Sequence, residues 1–438
     1  MRGILSAAGY VPYRRLRRSE IQAVMGSGGG TGTRSVASFD EDTTTMGVEA
    51  ARIALRSVGA SPYALWFATA DPAYLDKTNA NAVHAALRLD EKVPAVDMGG
   101  AIRSGVGALR AALESNGDVL VVASDIRTGL PTSADEANGG DGAAAVLVGN
   151  GDVVAEYLGG GSATREFVDR WRVPGDRRSK VWEERFGEAV YVPLAVRAYE
   201  TALVSAGLSG VDRVVATGMH ARAVGRLRKA LGIDESAFGD DLTSTVGNTG
   251  TAHPLLLLAS ASESVSPEQT IAVVSLADGA DVLIFRRTDA RLPSHRIIAE
   301  QIASGGDVSY PRFLSWRGMI TPEPPNRPEP ARVSAPAAER AEDWKFGLVA
   351  DGDQVSAHSL ADTPGTIVTF TVDRLAYSPS PPIVFAIVDF DGGGRLPIEL
   401  TDVDPESLAV GDRVEMTFRR LTTADGIHNY FWKARPVR

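Results

Sequence analysis

Two polar side chains stand at the ends of glycine-flanked runs, and their types suit the stabilisation of a negatively charged oxygen. His220 follows the apolar run 214–218, and Asn248 lies in the turn 247–250, whose sequence is Gly-Asn-Thr-Gly. Neutral imidazole and amide groups aimed at one oxygen stabilise an enolate by about a few kcal/mol. The alternative is that both are structural, with His220 hydrogen-bonded in the core.

Three further side chains could take part in proton transfer. His253 precedes Pro254, which suits a first helical turn, so it could act as a general base or cap a helix that faces a cleft. Tyr191 could act as an acid, although aromatic packing is the commoner role. Glu188 precedes it by three residues in the chain.

A basic run in an otherwise acidic chain predicts contact with an anion. Its members are Arg165, Arg170, Arg172, Arg177, Arg178 and Lys180. Guanidinium and ammonium groups of this kind bind phosphates well. A solvated surface loop is the alternative, and the sequence does not separate the two.

The segment 95–109 reads as a buried strand end, a tight glycine turn and a helix of small residues, with Ile102 at the turn. A junction of this kind places a side chain at a helix N-terminus, where a thiolate or an oxyanion is favoured. Ile102 has no lone pair, so covalent catalysis from it is excluded. Ser104 lies two residues further on and is read as a packing residue.

Composition limits the classes of function. The 438 residues are 44% hydrophobic and 23% charged, with a formal net charge of -10. This is a soluble globular composition, and the acidic balance argues against binding nucleic acid. The chain contains no cysteine, which excludes disulfides and thiolate metal sites. No apolar run reaches membrane-spanning length and no secretion signal is recognised, so we expect a cytoplasmic protein.

Residues 1–290 alternate strand-like and helical patterns, which predicts a layered α/β domain. The apolar runs 119–124, 214–218 and 271–276 are expected to be buried strands, and the segments 47–57, 190–206 and 223–231 helices. Residues 140–149 resemble residues 277–285, and each set follows a glycine-turn-helix element. This predicts a duplicated fold with the active site between its halves.

Beyond residue 290 the chain changes character. Residues 291–345 form a predicted proline-rich connector with a helix, because its prolines suit neither a helix interior nor a central strand. Residues 346–438 contain strand-like runs at 365–373, 383–389 and 413–419. This spacing predicts a compact β-barrel.

The first domain resembles the branch of the thiolase superfamily that contains HMG-CoA synthase and ketoacyl-ACP synthase III. The segments that carry this resemblance are 68–78, the turn around Ile102, 139–144, 185–191, 217–220 and 246–253. The resemblance implies a duplicated thiolase-like fold of layered αβαβα type. It also implies a homodimer, because the family buries its sheet edge against a second copy.

The resemblance assigns roles to individual positions. Ile102 occupies the position of the acyl-forming cysteine, so that nucleophile is lost. Ala70 occupies the position of the glutamate acid/base, and Asp71 would point to the other face of a strand. His220 and Asn248 match the groups that hold a thioester carbonyl or its enolate. Tyr191 and Glu188 fall in the match to a substrate-lining segment, and the basic residues Arg177 and Lys180 could meet the phosphates of CoA.

The tail resembles the OB-fold proteins once called DUF35, which accompany thiolase-like enzymes acting on CoA thioesters. The matching segments are 313–318, 370–375, 389–395 and 426–433. Such proteins usually carry a four-cysteine zinc ribbon, but the segment 344–360 has no cysteine, and a lone His358 cannot complete a tetrahedral site. Zinc is therefore not expected. Coenzyme A is expected as part of the substrate, with no covalently bound cofactor.

Three functions remain. The first is an enzyme that makes or breaks a C–C bond in an acyl-CoA by enolate chemistry, such as a retro-aldol cleavage, without an acyl-enzyme. The second is a non-catalytic partner of another acyl-CoA enzyme, such as a thiolase or hydratase. The third, an acyltransferase like HMG-CoA synthase, is opposed by Ile102. His220 and Asn248 favour the first, and the joint loss of cysteine, glutamate and zinc ribbon favours the second.

Overall fold

The computed structural model describes residues 1–56, 58–59, 61–176, 178–292, 296–324, 340–349 and 359–438. Arg177, His358 and the prolines 325, 328, 330 and 336 of the predicted connector lie outside these residues. Within them, no helix combines the length and apolar character that crossing a membrane requires. No group of three or more potential metal ligands is found in the same part of the chain.

In chain order the strands are β1 (Arg2–Tyr10), β2 (Arg14–Arg17), β3 (Thr33–Val36), β4 (Ala64–Ala68), β5 (Ala95–Asp97), β6 (Val119–Asp125), β7 (Gly142–Asn150), β8 (Ala155–Thr164), β9 (Arg170–Trp171), β10 (Lys180–Val181), β11 (Arg213–Gly218), β12 (Thr270–Leu276), β13 (Gly279–Arg287), β14 (Gly306–Asp307), β15 (Gly365–Asp373), β16 (Ile383–Phe390), β17 (Arg395–Leu400), β18 (Arg413–Ala424) and β19 (Ile427–Pro436).

The α-helices are α1 (Arg18–Met25), α2 (Thr43–Arg56), α3 (Ala80–Ala86), α4 (Ser104–Glu114), α5 (Ala134–Asn138), α6 (Glu184–Ala206), α7 (Ala221–Ala230), α8 (His253–Ser264), α9 (Ile298–Ala303), α10 (Tyr310–Trp316) and α11 (Glu342–Gly347).

The predicted duplication is confirmed by the order of strands in the main sheet. That order is β11-β12-β13-β8-β1-β7-β6-β4-β5. Strands β1 and β8 pair at its centre. On the β1 side the order outward is β7, β6 and β4, and on the β8 side the corresponding order is β13, β12 and β11. The apolar runs predicted as strands are β6, β11 and β12.

Helices cover the sheet in layers, as the predicted αβαβα arrangement requires. Helices α4 and α8 pack against each other and against strands of the sheet, and α8 contacts strands from both halves. Helix α2 packs on β1, β6 and β7, while α6 packs on β8, β12 and β13. Strands covered on both faces read as continuous apolar runs, which is why the sequence revealed them.

One local prediction differs from the structure. The helix predicted over 190–206 begins six residues earlier, at Glu184, and continues through Pro193. The free energy that the helix gains by packing against β8 and β13 exceeds the unfavourable free energy of a proline inside a helix. Residues 14–17 form strand β2, which pairs with β3.

The chain after residue 290 packs closely on the first domain. Helix α9 contacts β1 and α8. Strands β15, β16, β17, β19 and β18 form a closed barrel, which confirms the predicted OB-fold. The barrel shares one hydrophobic cluster with α2. The boundaries at 290 and 345 stay predictions.

Buried ion pairs also join the barrel to the α/β core. Arg419 of β18 is fully buried and lies 3.2 Å from Asp40. Arg435 of β19 lies 2.5 Å from Glu49 of α2, and Lys433 lies 3.0 Å from Asp40. Buried charges are tolerated only when they are paired, so these contacts tie the barrel to the core in one orientation.

Candidate functional site

A cavity of about 280 Å³ lies where the two halves of the fold meet. Ala70 follows β4 and Ile102 precedes α4 in one half, while Met219 follows β11 and Ala277 follows β12 in the other. Tyr191 of α6 completes this part of the wall. A cavity is therefore present between the halves, where the site is predicted.

Ile102 lies on the cavity wall, in the turn between β5 and α4. The turn is closed by Ser104, whose Oγ accepts a hydrogen bond from the Ala101 amide at 3.2 Å. Ser104 is not among the residues that line the cavity. The hydroxyl therefore holds the turn, and the wall at this point is hydrocarbon.

Ala70 also lines the cavity, and its amide donates to the buried carboxylate of Asp125 at 2.7 Å. A methyl group at this position cannot transfer a proton. Asp71, the next residue, lines a different cavity, and Arg172 Nη1 lies 3.6 Å from its carboxylate. Asp71 therefore does not replace the missing acid/base of the main cavity.

Tyr191 is the predicted acid that the structure places on the cavity wall. Its hydroxyl oxygen accepts a hydrogen bond from the amide of Asp278 at 3.4 Å, and its ring packs edge-on against Phe167. Burial, reinforced by the nearby Asp169 carboxylate, raises the pKa of Tyr191 well above its usual value. The hydroxyl is therefore protonated at neutral pH, when it can donate a hydrogen bond.

His220 lies beside Tyr191, with ring centroids 6.1 Å apart, and is not among the residues that line the cavity. It caps α7, because its Nδ1 accepts from the Ala223 amide at 3.1 Å. In the neutral imidazole the proton is then on Nε2. A Cβ at Gly187 would come within 3.0 Å of both Nε2 of His220 and Oδ1 of Asp169, so these two groups meet beneath that glycine.

The side-chain amide of Asn248 is hydrogen-bonded within the protein. Its Nδ2 donates to Thr217 Oγ1 at 3.2 Å and to the carbonyl oxygen of Gly218 at 3.1 Å. Its Oδ1 accepts from the Gly250 amide at 2.8 Å. Both amide hydrogens are therefore used within the protein, and the residue does not line the cavity.

His253 lies in the core and not on the cavity wall. Its Nδ1 accepts from the amide of Thr249 at 3.1 Å, and its Nε2 lies 3.0 Å from the carbonyl oxygen of Asp241. Burial lowers the pKa of His253 to about 4. This neutral imidazole joins two loops, and a general base would need access that the residue lacks.

The predicted substrate-binding residues are placed unevenly. Lys180 is exposed on β10, next to Ser179 of the cavity wall, and β10 pairs with β9. Glu188 is paired with Arg226 at 2.6 Å. Of the predicted basic run, Arg170 and Arg172 line the cavity, while Arg177 lies outside the described residues.

The sequence analysis missed Asp278, which lines the cavity in the turn between β12 and β13. Burial raises the pKa of its carboxyl, although Arg103 opposes the shift. The available signal was the repeated Asp-Gly-Ala motif. That motif is ambiguous, because its first copy places Asp141 in the core, paired with Arg34 at 3.1 Å.

Two other missed residues, Arg127 and Asp169, line the same cavity. Arg127 is largely buried, and its Nε makes no hydrogen bond among the described residues. Oδ1 of Asp169 is also buried and without a hydrogen-bond partner in that part of the chain. Nothing in the sequence distinguishes these residues from other charged residues.

Both domains of this chain are similar in sequence to known proteins. Residues 359–419 match the family model of the ChsH2 C-terminal OB-fold domain. The chain is 29% identical over 292 residues to the hydroxymethylglutaryl-CoA synthase of Pyrococcus furiosus, which covers 64% of this chain and 83% of that protein.

Solved structures show the same fold. MvaS in complex with 3-hydroxy-3-methylglutaryl coenzyme A superimposes with a TM-score of 0.59 at 22% identity, over 77% of this chain and 95% of that one. The 3-oxoacyl-[acyl-carrier-protein] synthase III of Aquifex aeolicus gives 0.57 at 18% identity, over 65% and 100%. The chain is therefore a thiolase-fold protein that resembles hydroxymethylglutaryl-CoA synthases and carries an OB-fold domain similar to the C-terminal domain of ChsH2.

Proposed function

We propose that this chain binds a CoA thioester in the cavity and makes or breaks a carbon–carbon bond through an enolate, without an acyl-enzyme. The observation that carries the proposal is Ile102 in the lining of a cavity that also contains groups able to hold and move a proton. An aldol or retro-aldol step needs a base and an oxyanion donor but no nucleophile. The relatives that act on or bind HMG-CoA support the thioester class.

In the cleavage direction, the Asp278 carboxylate takes the proton of the 3-hydroxyl group. The C2–C3 bond breaks, its electron pair moves into the thioester as an enolate, and C3 leaves in an aldehyde or ketone. Return of the proton from Asp278 to C2 gives the shortened acyl-CoA. Atoms and charge balance within the cavity, and nothing becomes attached to the protein.

Hydrogen-bond donors for the enolate oxygen are present near the same wall. Tyr191 accepts through its oxygen from the Asp278 amide, which leaves its hydroxyl hydrogen to donate. Arg127 contributes a buried guanidinium. His220 lies beside Tyr191 and caps α7. Fixed donors of this kind are each worth about 3 kcal/mol of transition-state stabilisation. Asn248 and His253 are assigned to holding the surrounding loops.

The test is incubation of the purified full chain with 3-hydroxyacyl-CoA thioesters of several lengths, with mass spectrometry for a released carbonyl compound and a shorter acyl-CoA. Asp278→Asn should lower kcat/KM by about a hundredfold or more, because the base is lost. The matched control is Asp152→Asn in the exposed turn between β7 and β8, which should leave the rate unchanged. Intact CoA binding without turnover at any chain length would refute the proposal.

A second candidate is a non-catalytic partner of another acyl-CoA enzyme. The hydrogen bonds that Asn248 and His253 make to neighbouring segments favour it, because two of the four predicted catalytic side chains thereby hold loops together. This candidate predicts that CoA thioesters bind, that no carbonyl product forms, and that addition of the chain changes the rate of a thiolase or hydratase. Turnover by the purified chain would exclude it.

We also propose a homodimer. Strand β5 is an edge strand of the main sheet, and Val96 on it is 42% exposed. The following residues 99–101 are exposed and lead directly to Ile102. A second copy at this edge would cover unpaired backbone groups. Light scattering of the purified chain tests this, and Val96→Lys should weaken self-association.

A further inference from the structure

An apolar groove of about 210 Å³ adjoins the cavity. Phe167, Val168, Trp182, Phe186 and Val190 supply its apolar walls. Asp169 lines both the groove and the cavity, so the two spaces are neighbours that share this residue as a wall. The cavity therefore lies beside an apolar groove.

The groove exposes two large aromatic side chains. Trp182 is 59% exposed and Phe186 is 52% exposed, and Val168 between the same elements is exposed as well. Apolar clusters left in water beside a reaction chamber are typical of ligand sites. The described chain offers no segment that covers this patch.

Helix α6 joins the groove to the chemical groups. Gly187 forms part of the groove, and the space above it is limited by His220 Nε2 and Asp169 on its inner side. One turn further, Val190 faces the groove while Tyr191 faces the cavity. A thioester whose carbonyl lies near Tyr191 is therefore one residue of α6 away from Val190 and the groove.

We infer that the groove binds the acyl group of the substrate, and that this group is a large apolar one with a ring or a chain of six or more carbons. The inference rests on the proposed function. Size supports it, because an apolar cavity of about 150 Å³ holds benzene, and this groove is larger. A two-carbon acetyl group would leave most of it in contact with water.

Charged side chains lie close to the groove in the chain. Lys180 is exposed two residues before Trp182, and Arg185 is exposed next to Phe186 and pairs with Glu183 at 2.7 Å. Cations beside an apolar channel suit a ligand with an anionic end and a hydrocarbon end, which is the chemistry of a long-chain acyl-CoA. A second protein or a second copy of this chain would compete for the same surface, and both are outcomes of the test.

The experiment compares the dissociation constants of CoA and octanoyl-CoA for the full chain by titration calorimetry. Each buried methylene should strengthen binding about threefold to fourfold, so octanoyl-CoA should bind more than tenfold more tightly than CoA. Phe186→Ala should remove about tenfold of that preference and leave CoA affinity unchanged, while Phe186→Leu should retain most of it. Val204→Ala is the matched control, since Val204 lies on the same helix and is 82% exposed.

Equal affinity for CoA and octanoyl-CoA would overturn this inference alone. Equal weakening of both ligands in Phe186→Ala, or loss of self-association with an unchanged acyl preference, would also overturn it and would assign the patch to a protein interface. Absence of binding by CoA and by every thioester would overturn the proposed function together with the inference. Because Phe186 is half exposed, its replacement should not prevent folding.

Discussion

Ile102 provides a direct way to locate the thioester, because the chain has no cysteine and a single introduced thiol can be followed without interference. The Ile102→Cys variant should react with iodoacetamide to give one adduct, since a thiol before a helix N-terminus is activated. CoA at about ten times its dissociation constant should slow this reaction about tenfold. Intact-mass spectrometry measures both rates.

The control for this experiment is Val204→Cys, which introduces an exposed thiol at the distal end of α6. CoA should leave its alkylation rate unchanged. If CoA fails to protect the thiol at position 102, the ligand does not occupy the cavity that Ile102 lines, and the proposed site is wrong.

His253 gives a prediction about pH. Its pKa is about 4 in the folded chain and about 6.5 when unfolded, so between these values the unfolded chain binds a proton that the folded chain does not. Stability should therefore fall as pH is lowered from 7 to 4, by up to about 3 kcal/mol from this group. His253→Gln should remove that part of the slope of unfolding free energy against pH, measured by denaturant titration.

The comparison of the two proteins isolates His253 from opposing groups. Burial raises the pKa of Glu263 to about 7, so this carboxyl adds stability as pH falls through that value in both proteins. An identical pH slope in His253→Gln and the parent chain would show that the imidazole is solvated and free to act as a base.

At the scale of elements, helix α2 is where the OB barrel meets the α/β core. Glu49 on α2 lies 2.5 Å from Arg435 of β19 and 3.2 Å from Arg52, and the Arg435 and Arg52 guanidiniums hold its pKa down to about 2 against the effect of burial. Glu49→Ala would remove one carboxylate from two buried guanidiniums, of which Arg435 keeps Glu415 at 3.0 Å and Arg52 keeps Asp362 at 3.1 Å. The free energy of unfolding should fall by about 3–5 kcal/mol in a denaturant titration.

An exposed ion pair in the barrel gives the matched control. Glu406 pairs with Arg374 at 2.9 Å, and both side chains are mostly in water. Glu406→Ala should change stability by less than about 1 kcal/mol. A loss in Glu49→Ala as small as that in Glu406→Ala would mean that the barrel does not stay docked on α2.

For the whole molecule, the shared hydrophobic cluster predicts one cooperative unfolding transition. Trp432 of the barrel and Phe67 of the core belong to the same buried cluster. Trp432→Ala should destabilise the chain by about 3–5 kcal/mol and lower the melting temperature of the core as well as of the barrel. Calorimetry with a van't Hoff comparison is the measurement. Two separate transitions, only one of which moves, would contradict it.

The sequence predicted those features of the molecule that depend on local patterns. The strands β6, β11 and β12 were visible because both of their faces are buried, and the turn at Ile102 because of its glycines. Contacts between distant residues were not visible. Arg435 pairs with a residue 386 positions away, and charged residues in an alternating strand read as a solvated face until their partners are placed.

The candidate site divides in the same way. Tyr191 and His220 were named from their residue types and from the segments that resemble the family, and their catalytic roles stay predictions. Asp278 and Asp141 share one motif, yet the first lines the cavity and the second is buried with Arg34. The difference arises from which loop covers each strand end, and that depends on the packing of the whole chain.

Because Ile102 stands where related enzymes carry a cysteine, the molecule should also resist inactivation by thiol-directed electrophiles. Electrophiles that inactivate thiolase-fold enzymes by capturing an active-site thiolate find no such target in a chain without cysteine. In a cell extract, a thiol-selective alkylating reagent should therefore inactivate cysteine-dependent condensing enzymes. Any reaction catalysed by this chain should continue at an unchanged rate. The same treatment would make a mixed assay selective for it without purification.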